Sequence, residues 1–240
     1  MIRRRRSNHH HGGYHNSHYN SHYAYHHHDS WLLWTVKNSK YTLILCLVLI
    51  VCFILQFITN TVNISDVVLD TQEVVNFNFI STFTSLFFHV SFTHFFFNLV
   101  ALFIFSRKAE SELHSGVILL FVLGGILANV IASFYAGFLD SHYIGVGASA
   151  AVAPLIFFTI LAKPISLLTP FAWFIILYDI VNLSNLNTTT NHTVHVTGYI
   201  ATLLLITILR FRSKQYIYHS IAFNLIGLIA LYYGLSYYYW

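Results

Sequence analysis

From Lys40 onward the chain alternates long apolar stretches with brief polar breaks. Charge-free stretches cover residues 41–65, 74–106, 113–139, 141–162, 164–178, 180–209 and 215–240. Six of the seven exceed 20 residues, enough for a helix rising about 1.5 Å per residue to cross a bilayer core about 30 Å thick. The stretch 164–178 is short but continues apolar past Asp179. The pattern predicts seven membrane helices in an all-α integral membrane protein. The connection at about 60–84 is the longest between spans. It ends in aromatic sequence, Phe77 to Phe83, and reads as a partly embedded structure, because a solvated loop has no use for so many Phe.

Composition agrees. Of 240 residues, 56% are hydrophobic and only 8% charged, against about 25% charged in an ordinary soluble domain. That excludes a soluble globule, a nucleic-acid binder working through phosphate contacts and a chain disordered throughout. Residues 1–40 differ from the rest. They hold four consecutive arginines at 3–6, then a low-complexity run of His, Tyr, Asn, Ser and Gly. This is expected to be a disordered, basic cytoplasmic tail, solvated and without a site of its own, whose cations suit anionic lipid. Cys46 and Cys52 lie inside the first apolar run and read as small apolar fillers rather than a disulfide framework.

Charge also orients the chain. With the N-terminus inside and one crossing per stretch, all twelve Lys and Arg fall on the cytoplasmic side. Asp66, Asp70, Glu73 and Asp140 fall outside. This is the positive-inside pattern. It puts the N-terminus in the cytoplasm and the C-terminus, with Tyr237 to Trp240, at the external face of the cell membrane.

Polar side chains in the spans are costly and mark a bundle interior or a wet cavity. The candidates are His89, His94, Asn98, Asn129, Ser149, Asp179, His195 and Asn224. The second, fourth and sixth spans all run inward, each ending at a cytoplasmic cation. His94 precedes Arg107 by 13 residues, Ser149 precedes Lys163 by 14, and His195 precedes Arg210 by 15. At about 1.5 Å per residue, all three lie roughly 20–22 Å above the inner face. Asn98 follows His94 by four residues and shares its helix face.

A serine, two histidines and an asparagine at one depth are the parts of a hydrolase. Serine needs a base, and histidine is suited to that near neutral pH. Developing oxyanion charge needs donors, which Asn, His and backbone N–H groups supply. The run Gly145-Val146-Gly147-Ala148-Ser149-Ala150-Ala151 is small enough for close helix approach. Gly198, three residues after His195, allows the sixth span to pack there and bring His195 to Ser149.

His94-x-x-x-Asn98, Gly147-x-Ser149 and His195-x-x-Gly198, in this order, resemble the rhomboid intramembrane serine proteases. His89 completes an H-x4-H-x3-N pattern, and Glu110 falls where that family often has a glutamate. The resemblance implies a rhomboid-like six-helix bundle over 41–212 plus one extra transmembrane helix over 213–240. It implies a Ser–His dyad without a carboxylate: Ser149 as nucleophile, and His195 as general base and then acid. Asn98, His94 and the Ser149 N–H would form the oxyanion hole, and His89 would be auxiliary. Gly147, Gly198 and Glu110 would be structural. No cofactor and no metal are implied. The partners would be transmembrane protein substrates in the lipid bilayer, and no nucleic acid.

Three positions depart from the family pattern. Ala150 stands where GxSG ends in glycine. Ile80-Ser81 stands near a frequent Trp-Arg pair. Ala153 stands where a tyrosine often stacks on the base. A catalytically inactive rhomboid-like protein binding transmembrane clients therefore remains the alternative. A metal or proton transporter, suggested by sixteen histidines, fits less well, since nine of them lie in the tail. Asp179 is a candidate relay group, though its place near the outer end of the fifth span favours a hydrogen-bonded interface residue, and Asn129 reads as a bond between helices.

Overall fold

The computed structural model describes residues 38–59, 61–162, 168–183 and 191–208. Nearly all of the expected tail and the whole expected 213–240 helix lie outside the described residues, as do Lys163, Arg210, Arg212, Lys214 and Asn224.

The described residues form eight α-helices: α1 (Lys40–Phe57), α2 (Thr71–Val75), α3 (Ile80–Thr84), α4 (Phe92–Leu113), α5 (Gly116–Phe138), α6 (Ser149–Ala162), α7 (Thr169–Val181) and α8 (His192–Ile208). By length and composition, α1 and α5 are long and apolar enough to cross a membrane. The helices α6, α7 and α8 are apolar but shorter.

Charge-free sequence and helix do not coincide. The stretch 74–106 is expected as one span but breaks into α2, α3 and α4. Phe77 adopts a left-handed φ of 66°, and Ser91 caps α4 by accepting a hydrogen bond from the His94 N–H at 3.2 Å. The stretch 141–162 is helical only from Ser149, and 180–209 is interrupted before His192. Apolar residues here serve tertiary burial as well as helix faces: Leu69, Val74 and Leu86 are buried on non-helical or one-turn segments. Backbone outside a helix is tolerated at membrane depth where protein covers it.

The helix α6 is the centre of the bundle. Every residue from Ala150 to Leu161 is buried, and α6 packs on α4, α5, α7 and α8. Small residues permit the approach. A Cβ on Gly124 of α5 would lie 2.8 Å from Pro154 Cγ, and one on Gly125 would lie 2.8 Å from Ala151 Cβ. On the opposite side, a Cβ on Gly198 would lie 3.1 Å from both Ala153 Cβ and Pro154 Cδ. Asn129 of α5 donates to the Thr82 carbonyl at 2.9 Å and the Ser85 hydroxyl at 3.1 Å. Thr197 of α8 donates to the Ala128 carbonyl of α5 at 2.9 Å.

Glu110, near the end of α4, is buried. Its carboxylate accepts from Tyr41 N at 3.1 Å, Thr42 N at 2.8 Å and the Thr42 hydroxyl at 2.7 Å. It thus caps α1, whose Ser39 makes no side-chain cap, and favours the positive end of that helix dipole.

The connection between α1 and α3 is ordered. A two-residue strand, β1 (Leu69–Asp70), pairs antiparallel with β2 (Ile144–Gly145), joining Leu69 to Gly145 and Asp70 to Ile144. This fastens the first loop to the segment leading into Ser149. Asp70 accepts from Gln72 N at 2.8 Å, Glu73 N at 3.4 Å and His142 Nε2 at 2.9 Å. Partial burial raises its pKa, but the His142 bond and the two N–H bonds outweigh that and leave it below the usual carboxylate range. Its stabilisation is therefore fully present above about pH 3.9, the unfolded value, and fades as pH falls through the lower native value. Asp70→Ala is expected to cost about 1 kcal/mol, and Asp70→Asn much less, since Asn caps nearly as well. Thermal unfolding of the two variants at pH 7 checks this.

Candidate active site

Three helices each carry a candidate in the first turn. Ser149 is the first residue of α6, His94 the third of α4 and His195 the fourth of α8. Local sequence sets these starts. Ser91 caps α4. Asn191 Oδ1 accepts from Val194 N at 3.1 Å at the start of α8. The helix α6 starts where Gly147 takes a φ of +135° and the Ala148 carbonyl accepts from both Ala151 N and Val152 N at 2.9 Å.

The turn before Ser149 is held on three sides. Gly147 N donates to the Ser85 carbonyl at 2.9 Å, and Ser85 is in turn held by Asn129. Ala148 N donates to His89 Nε2 at 3.4 Å. His89 is fully buried, and its backbone N–H and carbonyl are both bonded to the Gln56 side chain, at 3.1 and 2.7 Å. His89 therefore supports the turn from inside the protein. The His94 ring lies directly over Gly147: a Cβ there would come within 2.5 Å of His94 Cε1. His94 packs edge-on to His89, with ring centroids 5.2 Å apart, and lies within electrostatic range of His195. Asn98, one turn on, is buried and donates to the His94 carbonyl at 3.0 Å. That uses one of its two N–H groups and leaves the other as a donor.

On the other side, Gly198 seats α8 against Ala150, Ala153 and Pro154 of α6. Pro154 has no N–H, so the Ala150 carbonyl lacks its intrahelical partner. A Cβ at residue 198 would press to 3.4 Å from that carbonyl oxygen. This close approach brings the first turns of α6 and α8 together.

His195 has a partner absent from the expected dyad. Its Nδ1 lies 3.0 Å from Asp179 Oδ1. The same oxygen takes His192 Nδ1 at 2.8 Å, and Tyr199 donates its hydroxyl to Asp179 Oδ2. Asp179 is hydrogen-bonded, as expected, and is buried near the end of α7. His192 and Tyr199 went unnoticed in the sequence. Their signal was the spacing 192, 195, 199, which places three polar rings on one helix face. Tyr199 also stacks on Phe157 of α6, with centroids 5.6 Å apart, so its ring joins α6, α7 and α8.

Asp179, His192 and His195 offer ligand atoms within 4.8 Å of one another, a donor set that suits a transition metal. The two Nδ1 atoms already lie at hydrogen-bond distance from the one carboxylate oxygen, so protons suffice to hold these contacts, while His192 Nε2 is buried without a hydrogen-bond partner among the described residues. Chemically, the cluster is a buried carboxylate holding an imidazole by one nitrogen and leaving the other free to take a proton.

The Rhomboid domain matches residues 76–212, more than half of the chain. No curated protein matches it. The match spans α3 to α8 and includes all the motif residues above, so the chain belongs to the rhomboid family, whose members are in general intramembrane serine proteases.

Proposed function

We propose that this protein is an intramembrane serine endopeptidase that cuts other membrane proteins at or near the outer end of a transmembrane helix. Ser149 Oγ attacks the scissile carbonyl, and His195 Nε2 takes its proton. Negative charge on the carbonyl oxygen is met by the Asn98 amide, the His94 ring and the Ser149 N–H. Backbone N–H groups in the first turn of a helix lack an i−4 acceptor within it; at the start of α6, Ala151 N and Val152 N are taken by the Ala148 carbonyl, and the Ser149 N–H is the one offered to an anion. His195 then protonates the leaving amine. A water, deprotonated by the same nitrogen, releases the acyl group from Ser149. The N-terminus is cytoplasmic, and the site opens toward the external side.

The observation that carries this reading is that Ser149, His94 and His195 each stand in the first turn of a helix, α6, α4 and α8 respectively. The close contacts of His94 with Gly147 and of Gly198 with α6 support it. Ala150 and Ala153 favour the alternative, a catalytically inactive relative that binds transmembrane clients. A fluorophosphonate probe separates the two, because only an activated serine reacts. Wild type is expected to label in detergent, and Ser149→Ala and His195→Ala are not. A folded wild type that neither labels nor cuts a co-expressed transmembrane substrate would favour the client binder.

A further inference from the structure

We propose that Asp179 is a positioning residue for this serine centre: it holds His195 with its ring proton on Nδ1, so that Nε2 is the base for Ser149. The inference rests on the Ser149–His195 reading and deepens it from a dyad to a three-member relay.

A carboxylate near the C-terminal end of a helix faces the negative end of the helix dipole. Burying one there is costly unless donors surround it. Asp179 sits in that unfavourable place and is matched by three donors, one from each of His192, His195 and Tyr199. All three come from one face of α8. His192 and Tyr199 flank His195 by one turn on each side, and fix the carboxylate so that Oδ1 meets His195 Nδ1. Exposure is graded along the relay: the His195 side chain is 15% exposed and that of Asp179 is 3%. The carboxylate is sealed while the imidazole is partly exposed.

The residue one turn after Ser149 offers no ring to His195. Ala153, four residues after Ser149, is a buried methyl pressed against Gly198. The His195 ring therefore takes its orientation from α7, through Asp179. With Nδ1–H donated to the carboxylate, Nε2 carries the lone pair. The Ser149 Oγ–H proton passes to Nε2 as the Oγ–C bond forms, and the resulting imidazolium lies beside an unprotonated carboxylate. Asp179 keeps its charge throughout, and the proton leaves on the amine.

The test uses the full-length protein with a transmembrane substrate, comparing wild type, Asp179→Asn and Thr202→Val. Asn replaces one oxygen by an NH2; placed where Oδ1 meets His192 and His195, it keeps an acceptor for Tyr199 and offers both imidazoles an N–H, which forces the other tautomer on His195. Asp179→Asn is expected to lower kcat by about 10²–10⁴-fold, the upper figure being the known effect of this change in a Ser-His-Asp triad. KM should stay within about twofold, and the fluorophosphonate labelling rate should fall in step with kcat. Thr202 is an equally buried polar residue of α8, bonded to the Pro154 and Gly198 carbonyls. Its valine variant is expected to lose thermal stability and keep kcat, which separates a structural defect from a positioning one. Nitrogen NMR of labelled histidine is expected to show the His195 proton on Nδ1 in wild type and on Nε2 in Asp179→Asn. Wild-type kcat in Asp179→Asn, or a wild-type proton on Nε2, would overturn the proposal, and the wild-type spectrum decides it even if the variant fails to fold. Failure of the protease reading looks different: wild type itself would neither cut nor label, while the tautomer spectrum still reported on Asp179.

Discussion

Ser149→Ala is expected to lower cleavage of a transmembrane substrate by at least about 10³-fold, and adding His195→Ala is expected to lower it no further. Groups that act as one unit lose their effect together, so single and double removals of nucleophile and base give similar residual rates. His195 contributes only by moving the Ser149 proton; once Oγ is gone, the imidazole has nothing to deprotonate. The residual rate comes from substrate binding and the oxyanion donors. Both variants should remain folded, since Ser149 stands at a helix start rather than in its packed middle. Cleavage by purified protein in detergent and in proteoliposomes, beside thermal unfolding, checks this. A double variant slower than either single variant by the product of their effects would mean that the two residues act independently.

The second large effect is expected at Gly147. Its φ of +135° is a backbone region held almost only by glycine and costs other residues about 1–3 kcal/mol. A methyl there would also come within 2.5 Å of His94 Cε1 and 2.8 Å of Nε2, so the ring must move or the turn must shift. Overpacking adds about 1–3 kcal/mol. Gly147→Ala is therefore expected to destabilise by about 2–6 kcal/mol, summing those two effects, and to cut activity by about 10²-fold or more, because His94 and the start of α6 are displaced together. Gly147→Ala with His94→Ala removes the collision but keeps the backbone strain. Thermal stability should then recover in part while activity does not. Full recovery of stability would show that sterics alone set the cost. No change in either quantity for Gly147→Ala would show that the turn is looser than its contacts imply.

The site's residues were legible because membrane chemistry makes polar groups rare in apolar sequence. His94, Ser149 and His195 stood out against their neighbours, and counting back from cytoplasmic cations placed them at one depth. The caps Ser91 and Asn191 each begin a helix just before its histidine. Helix bounds were less legible. Residues 74–91 and 141–148 are apolar without being part of a long helix, because hydrophobicity reports burial and not backbone conformation. The positive φ at Phe77 and Gly147 and the β1–β2 pairing depend on contacts between segments about 70 residues apart.

Asp179 shows the limit most clearly. A lone aspartate near a span end reads as an interface residue, because sequence reports its cost and not its partners. Its three donors lie 13, 16 and 20 residues away across a connection whose path composition does not set. The sequence by itself determined the apolar, helical character of the chain, its family and the order of its candidate site residues. These follow from local chemistry, hydropathy and short spacing. Only the tertiary structure decided that His89 supports the turn before Ser149, that Glu110 caps α1, and that a buried carboxylate from α7 grips His195. Each of these depends on packing glycines and alanines against α6, and that packing is a property of several segments at once.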